Sequence, residues 1–265
     1  MQQRVGQAAV ESVAAETPKF TAPMVMIHGL WCTAAAWHPF MGYFAHRGWR
    51  CHALTLRAHT DGTRATVGRV RFVDYVEDVK QVIAACDAPP VLVGHDVGGL
   101  LALHAGLPTV RAVVALAPLL PGSLSTAPNP LFSGFGARLA ARSARSLAAP
   151  RGKFAARYFA QGVPGGTVPE SGSVAQELRG HDLRIPLRSG IPALLVVGDD
   201  DPFCTKDDVA RLVRNSRVQI QSVAGAGHAL PWEQGWERRV SEIHRWLIHS
   251  LGDDLLAWRA EEDEP

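Results

Sequence analysis

The chain has 265 residues, enough to bury the core of one medium α/β domain with or without an insertion. Its 47% hydrophobic and 20% charged content is that of an ordinary globular protein, and a formal net charge of +2 without a dense Lys/Arg stripe points away from nucleic acid and from an anionic membrane surface as partners. Cysteines 32, 51, 86 and 204 have no metal-type spacing, no apolar run approaches the ~20 residues that cross a bilayer, and the scattered charges of residues 1–20 do not make a signal peptide, so free thiols and a cytoplasmic location are expected.

Residues 1–20 read as an N-terminal extension. "PMVMIH" (Pro23–His28) is an apolar run of strand length. Trp37, Phe40, Met41 and Phe44 then fall at i, i+3, i+4 and i+7, the stripe of an amphipathic helix, with Thr33 as its N-cap. "CHALTL" (Cys51–Leu56) is the next strand, and Phe72, Val76, Val79 and Ile83 mark the next helix. "PVLVGH" (Pro90–His95) reads as a buried strand, "VGGLLALHAG" (Val97–Gly106) as a helix packed close to it, and "AVVALAPLL" (Ala112–Leu120) again as strand.

Residues 121–190 interrupt this alternation. They are rich in Pro, Gly and Ser at their edges and hold two helix-like stretches, "ARLAARSARSLAA" and "GKFAARYFA", with no convincing strand. Arg138, Arg142 and Arg145 recur there at helical spacing, as a solvated face does. The alternation resumes with "IPALLVVGDD" (Ile191–Asp200). A capping box from Thr205 to Asp208 opens a helix carrying Val209, Leu212 and Val213. "RVQIQSV" (Arg217–Val223) alternates at period two, and Trp236, Val240, Ile243 and Leu247 form the last helical stripe. Residues 259–265 read as an acidic, solvated tail.

Strands alternating with helices predict an α/β fold, a mostly parallel sheet with helices on both faces. The core spans 21–120 and 191–258. Residues 121–190 are expected to form a helical cap over the carboxyl edge of the sheet, where ligands bind in such folds.

The chemistry is expected to centre on "GHDVGG". Gly94 and Gly98 flank Asp96 at minus two and plus two, and Gly99 lets the following helix pack close. A strand, a sharp turn and a helix would lift residue 96 out of the sheet and set it at a helix N-terminus, whose dipole favours an anion. Asp96 as a simple helix cap is the plainer alternative. "GAGHAL" places His228 in a Gly-rich loop after the last strand. "VVGDDDPF" places Asp199, Asp200 and Asp201 past the end of another; one of them would orient the histidine, and the others are a solvated turn. "IHGLW" sets Leu30 and Trp31 in the loop after the first strand, from which a backbone N–H can reach an oxyanion, with Val97 N–H as the second donor.

Together these pieces resemble the α/β-hydrolase fold superfamily over nearly the whole chain. The resemblance implies an eight-stranded, mostly parallel sheet, a variable cap and no cofactor. It places the nucleophile at Asp96, the histidine at His228, the acid at Asp201 by its Gly-x-x-Asp spacing, and the oxyanion donors at Leu30 and Val97. Trp31, His95, Tyr158, His181 and Phe203 are the side chains expected to line the substrate pocket. No metal is implied. The partner is a small-molecule substrate, and the chain is expected to be a monomer or homodimer.

An aspartate at the tip changes the reaction. A carboxylate attacking a carbonyl gives an anhydride, whereas displacement at an sp³ carbon gives a stable alkyl ester, which water activated by His228 then hydrolyses. The elbow is similar to those of epoxide hydrolases and haloalkane dehalogenases. The chain departs from the first in having Tyr158 as the lone tyrosine of the cap, with His181 as the remaining acid candidate there. It departs from the second in having Val97 after the nucleophile and no cap tryptophan. The rest of the chain resembles small bacterial esterases and lactonases, whose elbow reads Gly-His-Ser-x-Gly-Gly. Three readings follow. The leading one is an alkyl-enzyme hydrolase acting on an epoxide-like or halogenated apolar substrate. The second is a lyase, cyclase or isomerase of secondary metabolism using Asp96 and His228 as an acid–base pair. The third is a ligand-binding pseudo-hydrolase.

Overall fold

The computed structural model describes residues 1–59, 64–105, 109–122, 131, 145–180, 190–211 and 218–252. Its centre is an eight-stranded sheet built from β1 (Gln2–Val5), β2 (Ala8–Val13), β3 (Met24–Ile27), β4 (Cys51–Thr55), β5 (Val91–His95), β6 (Ala112–Leu116), β9 (Ala193–Gly198) and β10 (Val218–Val223), in the order β1-β2-β4-β3-β5-β6-β9-β10. From β4 to β10 every neighbouring pair is parallel. All residues of β3, β5, β6 and β9 are buried, as strands covered on both faces must be.

The first residues are not an extension beside this sheet. β1 and β2 form a hairpin, and β2 pairs antiparallel with β4, so they continue the sheet at its edge. Alternation is visible in β2, where Ala8 and Val10 are buried, but it spans too few residues to stand out among the surrounding charges.

The covering helices follow the predicted stripes. They are α1 (His38–His46), α3 (Phe72–Ala84), α4 (Val97–Ala105) and α8 (Trp236–Leu251), with the short α2 (Arg64–Val67) and α7 (Lys206–Ala210) between them. Phe40, Met41 and Phe44 are buried on α1, and Val240, Ile243 and Leu247 on α8. Trp37 closes a 3₁₀ turn, Ala34–Trp37, and α1 begins only after it. Thr33 precedes that turn and its side chain makes no cap, so it does not serve as the predicted N-cap. Thr205 does cap α7, its hydroxyl accepting from Asp208 N–H at 3.2 Å. Leu212 and Val213, expected on the same helix, lie outside the described residues.

Between β6 and β9, the described part comprises β7 (Ser146–Leu147), α5 (Gly152–Phe159), β8 (Glu170–Ser171) and α6 (Gly172–Arg179). β7 and β8 pair antiparallel, so this stretch does contain strand where none was expected. Two residues per strand are too few to give a period. Arg145 lies just before β7, on no helix, while Arg138, Arg142, His181 and the acidic tail fall outside the described residues.

Parallel pairing aligns the strand ends. Ile27 of β3 pairs with Gly94 of β5, Leu116 of β6 with Val196 of β9, and Val223 of β10 with Gly198 of β9. Leu30, Asp96, Asp201 and His228 therefore leave the sheet at one edge, each just past a strand's carboxyl end. The glycines are what allow the close fit at this edge. A Cβ on Gly94 would collide with the Gly98 carbonyl, and one on Gly98 with the Ile27 carbonyl.

Candidate active site

Asp96 occupies the sharp turn between β5 and α4 at φ +55°, a left-handed conformation that a non-glycine residue keeps only where its surroundings impose it. Three backbone bonds do so: Asp96 N–H donates to Leu116 O at 3.0 Å, and its carbonyl accepts from Leu100 N–H at 3.1 Å and Leu119 N–H at 3.0 Å. The side chain does not cap α4. One oxygen, Oδ2, accepts from Leu30 N–H at 2.7 Å and from the Tyr158 hydroxyl. The other, Oδ1, has no hydrogen-bond partner and lies 3.7 Å from His228 Nε2, which is also without one. Val97 N–H, the second predicted oxyanion donor, bonds to neither carboxylate oxygen in this arrangement, whereas Leu30 N–H is in place.

His228 stands in the loop after β10. Its Nδ1 donates to Asp201 Oδ2 at 2.8 Å. Asp201 is in turn fixed by Phe203 N–H at 2.8 Å and Cys204 N–H at 3.3 Å on Oδ1. Asp199 and Asp200 are exposed, with Asp199 bonded to the Ser222 hydroxyl, so the run resolves into one buried acid and two surface ones. The buried Arg239 of α8 secures the loop from behind, donating to the carbonyls of Leu230 at 3.0 Å, Gln234 at 3.1 Å and Glu233 at 2.9 Å.

Aromatic rings close the centre. Tyr158 lies nearly parallel to the His228 ring at 4.6 Å between centroids, and Phe203 meets the same ring edge-on at 5.3 Å. Trp31 packs edge-on against Tyr158 at 5.3 Å. His95 sits behind, its Nε2 donating to His228 O at 2.8 Å and its ring 5.1 Å from that of Trp232. Four of the five expected pocket residues therefore meet at the centre; the fifth, His181, is outside the described residues. Asp96 and His228 are both 0% exposed, so a substrate reaches them only if Tyr158 and its neighbours move aside.

Burial alone would raise the Asp96 carboxyl, but the charge of the nearby His228, with His95 and the hydrogen bond from the Tyr158 hydroxyl, holds it below the ordinary carboxylate value. Burial would likewise lower His228. The charge and hydrogen bond of Asp201, with the charge of Asp96, overcome it and raise the imidazole to about 10. At neutral pH the resting centre is thus an imidazolium between two carboxylates. His95 goes the other way, pushed down to about 4 by burial and by the charge on His228, and His28 falls to about 3 by burial and the charge on His59.

These shifts set a pH dependence of stability. His28 and His95 are neutral in the fold but protonate at the ordinary value of 6.5 once unfolded, so stability is lost as pH drops below 6.5, by roughly 1 kcal/mol per pH unit for each. His228 keeps its proton in the fold, so its contribution is complete below 6.5 and is lost as pH rises towards about 10. Chemical denaturation across pH is expected to show greatest stability near pH 6.5, with a fall on each side. A flat profile from pH 5 to 9 would contradict these assignments.

A second buried polar cluster escaped the sequence reading. Glu170 of β8, buried, accepts from Tyr75 OH at 2.6 Å, Ser171 N–H at 2.7 Å, His59 Nε2 at 3.1 Å and Trp31 N–H at 3.3 Å. Glu170 is a single acid in a loop rich in Pro and Gly, and nothing in its neighbours marks it. Among the described residues no group of three or more His, Cys, Asp or Glu side chains is placed to hold a metal ion, and no helix is long and apolar enough to cross a membrane. All four cysteines are free.

A covered parallel sheet that carries a strained elbow, a histidine and an acid at its carboxyl edge defines the α/β-hydrolase class. The model of the Alpha/beta hydrolase family matches residues 24–242, and the chain belongs to that family. Over 76 residues, 29% of this chain, it is 29% identical to a pyrethroid hydrolase of Sphingobium wenxiniae, and the match spans about a quarter (27%) of that relative's length. Among solved structures, a monoacylglycerol lipase of Paleococcus ferrophilus superposes with a TM-score of 0.70 at 20% identity, covering 91% of this chain and 99% of that one. A soluble variant of monoglyceride lipase from Saccharomyces cerevisiae superposes at 0.72 with 14% identity, covering 94% of each chain. At these identities the superpositions speak for the fold.

Proposed function

We propose that the protein is a hydrolase that opens a small, neutral, apolar epoxide through an alkyl ester on Asp96. The observation that carries this reading is the division of labour between the two carboxylate oxygens. Oδ2 is held by Leu30 N–H and Tyr158, while Oδ1 is free of hydrogen bonds and faces His228. A carboxylate held in this way presents one oxygen to carbon and keeps the other where negative charge develops later.

The steps follow from the charges. Oδ1 attacks a ring carbon and the carbon–oxygen bond of the epoxide breaks. The departing oxygen takes the Tyr158 proton, which the His228 imidazolium replaces. Asp96 is now a neutral ester, and the charge that helped keep His228 protonated is gone. The neutral imidazole, still oriented by Asp201, takes a proton from water as its oxygen adds to Asp96 Cγ. Leu30 N–H receives the oxyanion on Oδ2. Cleavage of the Cγ–Oδ1 bond expels the alkoxide, which takes the proton of the carboxylic acid left on Asp96, so the diol departs and the carboxylate stands again beside the imidazolium formed in the previous step.

The Tyr158 hydroxyl beside Asp96 favours this substrate over a halide, because a departing epoxide oxygen needs a proton donor and a departing halide needs none. The walls around the centre, Trp31, Tyr158, Phe159 and Phe203, suit an apolar or aromatic substituent. The stretch bearing Tyr158 serves as the cap, and it must swing away for entry.

A single turnover in ¹⁸O-water, with enzyme in excess, tests this path. The label is expected in the Asp96 carboxylate, and the first diol takes its new oxygen from Asp96. Label in the diol with none in Asp96 would mean direct attack by water, with Asp96 and His228 acting on protons alone.

A further inference from the structure

The residue that follows Leu30 is held in an unusual way. Trp31 lies at φ +60°, a left-handed conformation that a bulky side chain adopts only when its surroundings over-determine it. All of its polar groups are taken by one stretch of chain. Its N–H donates to Glu170 Oε2 at 3.3 Å, its carbonyl accepts from Val168 N–H at 2.9 Å, and its indole Nε1 donates to Leu147 O at 3.0 Å. A further bond inside the turn, Cys32 N–H to Gly29 O at 3.2 Å, closes the loop around Leu30.

Of these partners only Glu170 carries charge, and it is anchored in the core. Tyr75, from α3, donates to its other oxygen. His59 donates through Nε2, while His59 Nδ1 lies 3.2 Å from Arg57 O. Arg57 is itself clamped by the buried Asp78 at 2.7 Å. An imidazole with both nitrogens directed at oxygens is a cation, and the charge and hydrogen bond of Glu170 raise His59 despite its burial. A continuous line of contacts therefore runs from α3 through Glu170 and Trp31 to Leu30 N–H and Asp96 Oδ2.

We propose that Glu170 is a positioning residue for the active centre. It holds Trp31 in its left-handed turn and thereby sets Leu30 N–H on Asp96 Oδ2, with His59 as its counter-charge and Tyr75 as its anchor. Glu170 and Tyr158 belong to the same stretch between β6 and β9, so docking of that stretch brings the hydroxyl to Asp96 and completes the oxyanion donor together. The catalytic consequence rests on the reading of Leu30 N–H as the oxyanion donor; the placement of Leu30 does not.

The test uses Glu170→Gln and Glu170→Ala in the full chain with two readouts. Glutamine matches the shape of Glu170 but cannot accept from all four of its donors, so it serves if the alanine variant does not fold. The first readout is the amide proton of Leu30 by NMR, which a 2.7 Å bond to a carboxylate holds at low field. It is expected to move upfield in either variant. The second is single-turnover mass analysis with an aryl epoxide. Breakdown of the Asp96 ester is expected to slow about 100-fold with its formation little changed, the scale of a misplaced catalytic group. A folded Glu170→Gln variant with the Leu30 amide unmoved overturns the proposal, as does an equal loss in both half-reactions, the mark of a merely structural role. If the amide moves while the unmodified protein never forms an ester, the positioning stands and the epoxide reading falls. If the unmodified protein forms and clears the ester and the variants match it, the reverse holds.

Discussion

Asp96→Asn is expected to lower turnover by about 10⁴-fold or more, the scale of removing a nucleophile, and to bring His228 down from about 10 towards the ordinary histidine value. Asparagine tolerates the left-handed turn at φ +55°, so the elbow keeps its shape. Its carbonyl can still accept from Leu30 N–H and Tyr158. What disappears is the anion that attacks carbon on the proposed path, together with the charge with which Asp96 raises His228. Asp201 remains, so the fall is partial. The two effects are read separately, turnover by product formation and His228 by NMR titration of its ring protons. Full activity in the variant would remove Asp96 from the chemistry. An unmoved His228 titration would mean that Asp201 alone sets its charge.

The elbow was legible in the sequence because its glycines are demanded by backbone contact. Gly94 and Gly98 leave no space for a Cβ, and that requirement shows as a pattern within five residues. His228 and Asp201 were legible for a related reason. A parallel sheet delivers all its strand ends to one edge, so residues that follow strands converge there, and Asp201 is the buried one of three acids. Glu170, His59 and Tyr75 were not legible. They are separated by up to 111 residues and share no pattern, and only tertiary packing brings them around Trp31. The edge hairpin β1–β2 was missed because its strands are short and partly exposed, which removes the apolar run on which strand recognition depends. Trp31 was identifiable as a pocket residue, yet its left-handed backbone leaves no trace in residue type, since the turn is imposed by its partners.

On the proposed epoxide path, His228→Gln is expected to stop the cycle half-way. Glutamine cannot accept the proton of water as the imidazole does, so hydrolysis of the ester loses its general base, a loss of about 10²–10⁴-fold. Ester formation needs only the Asp96 carboxylate and one proton from Tyr158, and it survives better. The intermediate therefore accumulates in the variant, whereas the unmodified protein clears it within each turnover. Removing the imidazolium also leaves Asp96 and Asp201 without their shared counter-charge, so some loss of stability accompanies the change.

The most direct measurement is the mass of His228→Gln after incubation with an aryl epoxide that the unmodified protein converts, followed by location of the added mass in its peptides. The account predicts a gain of one substrate mass on the peptide that contains Asp96. It is contradicted if the unmodified protein turns the epoxide over while the variant never carries that mass on Asp96.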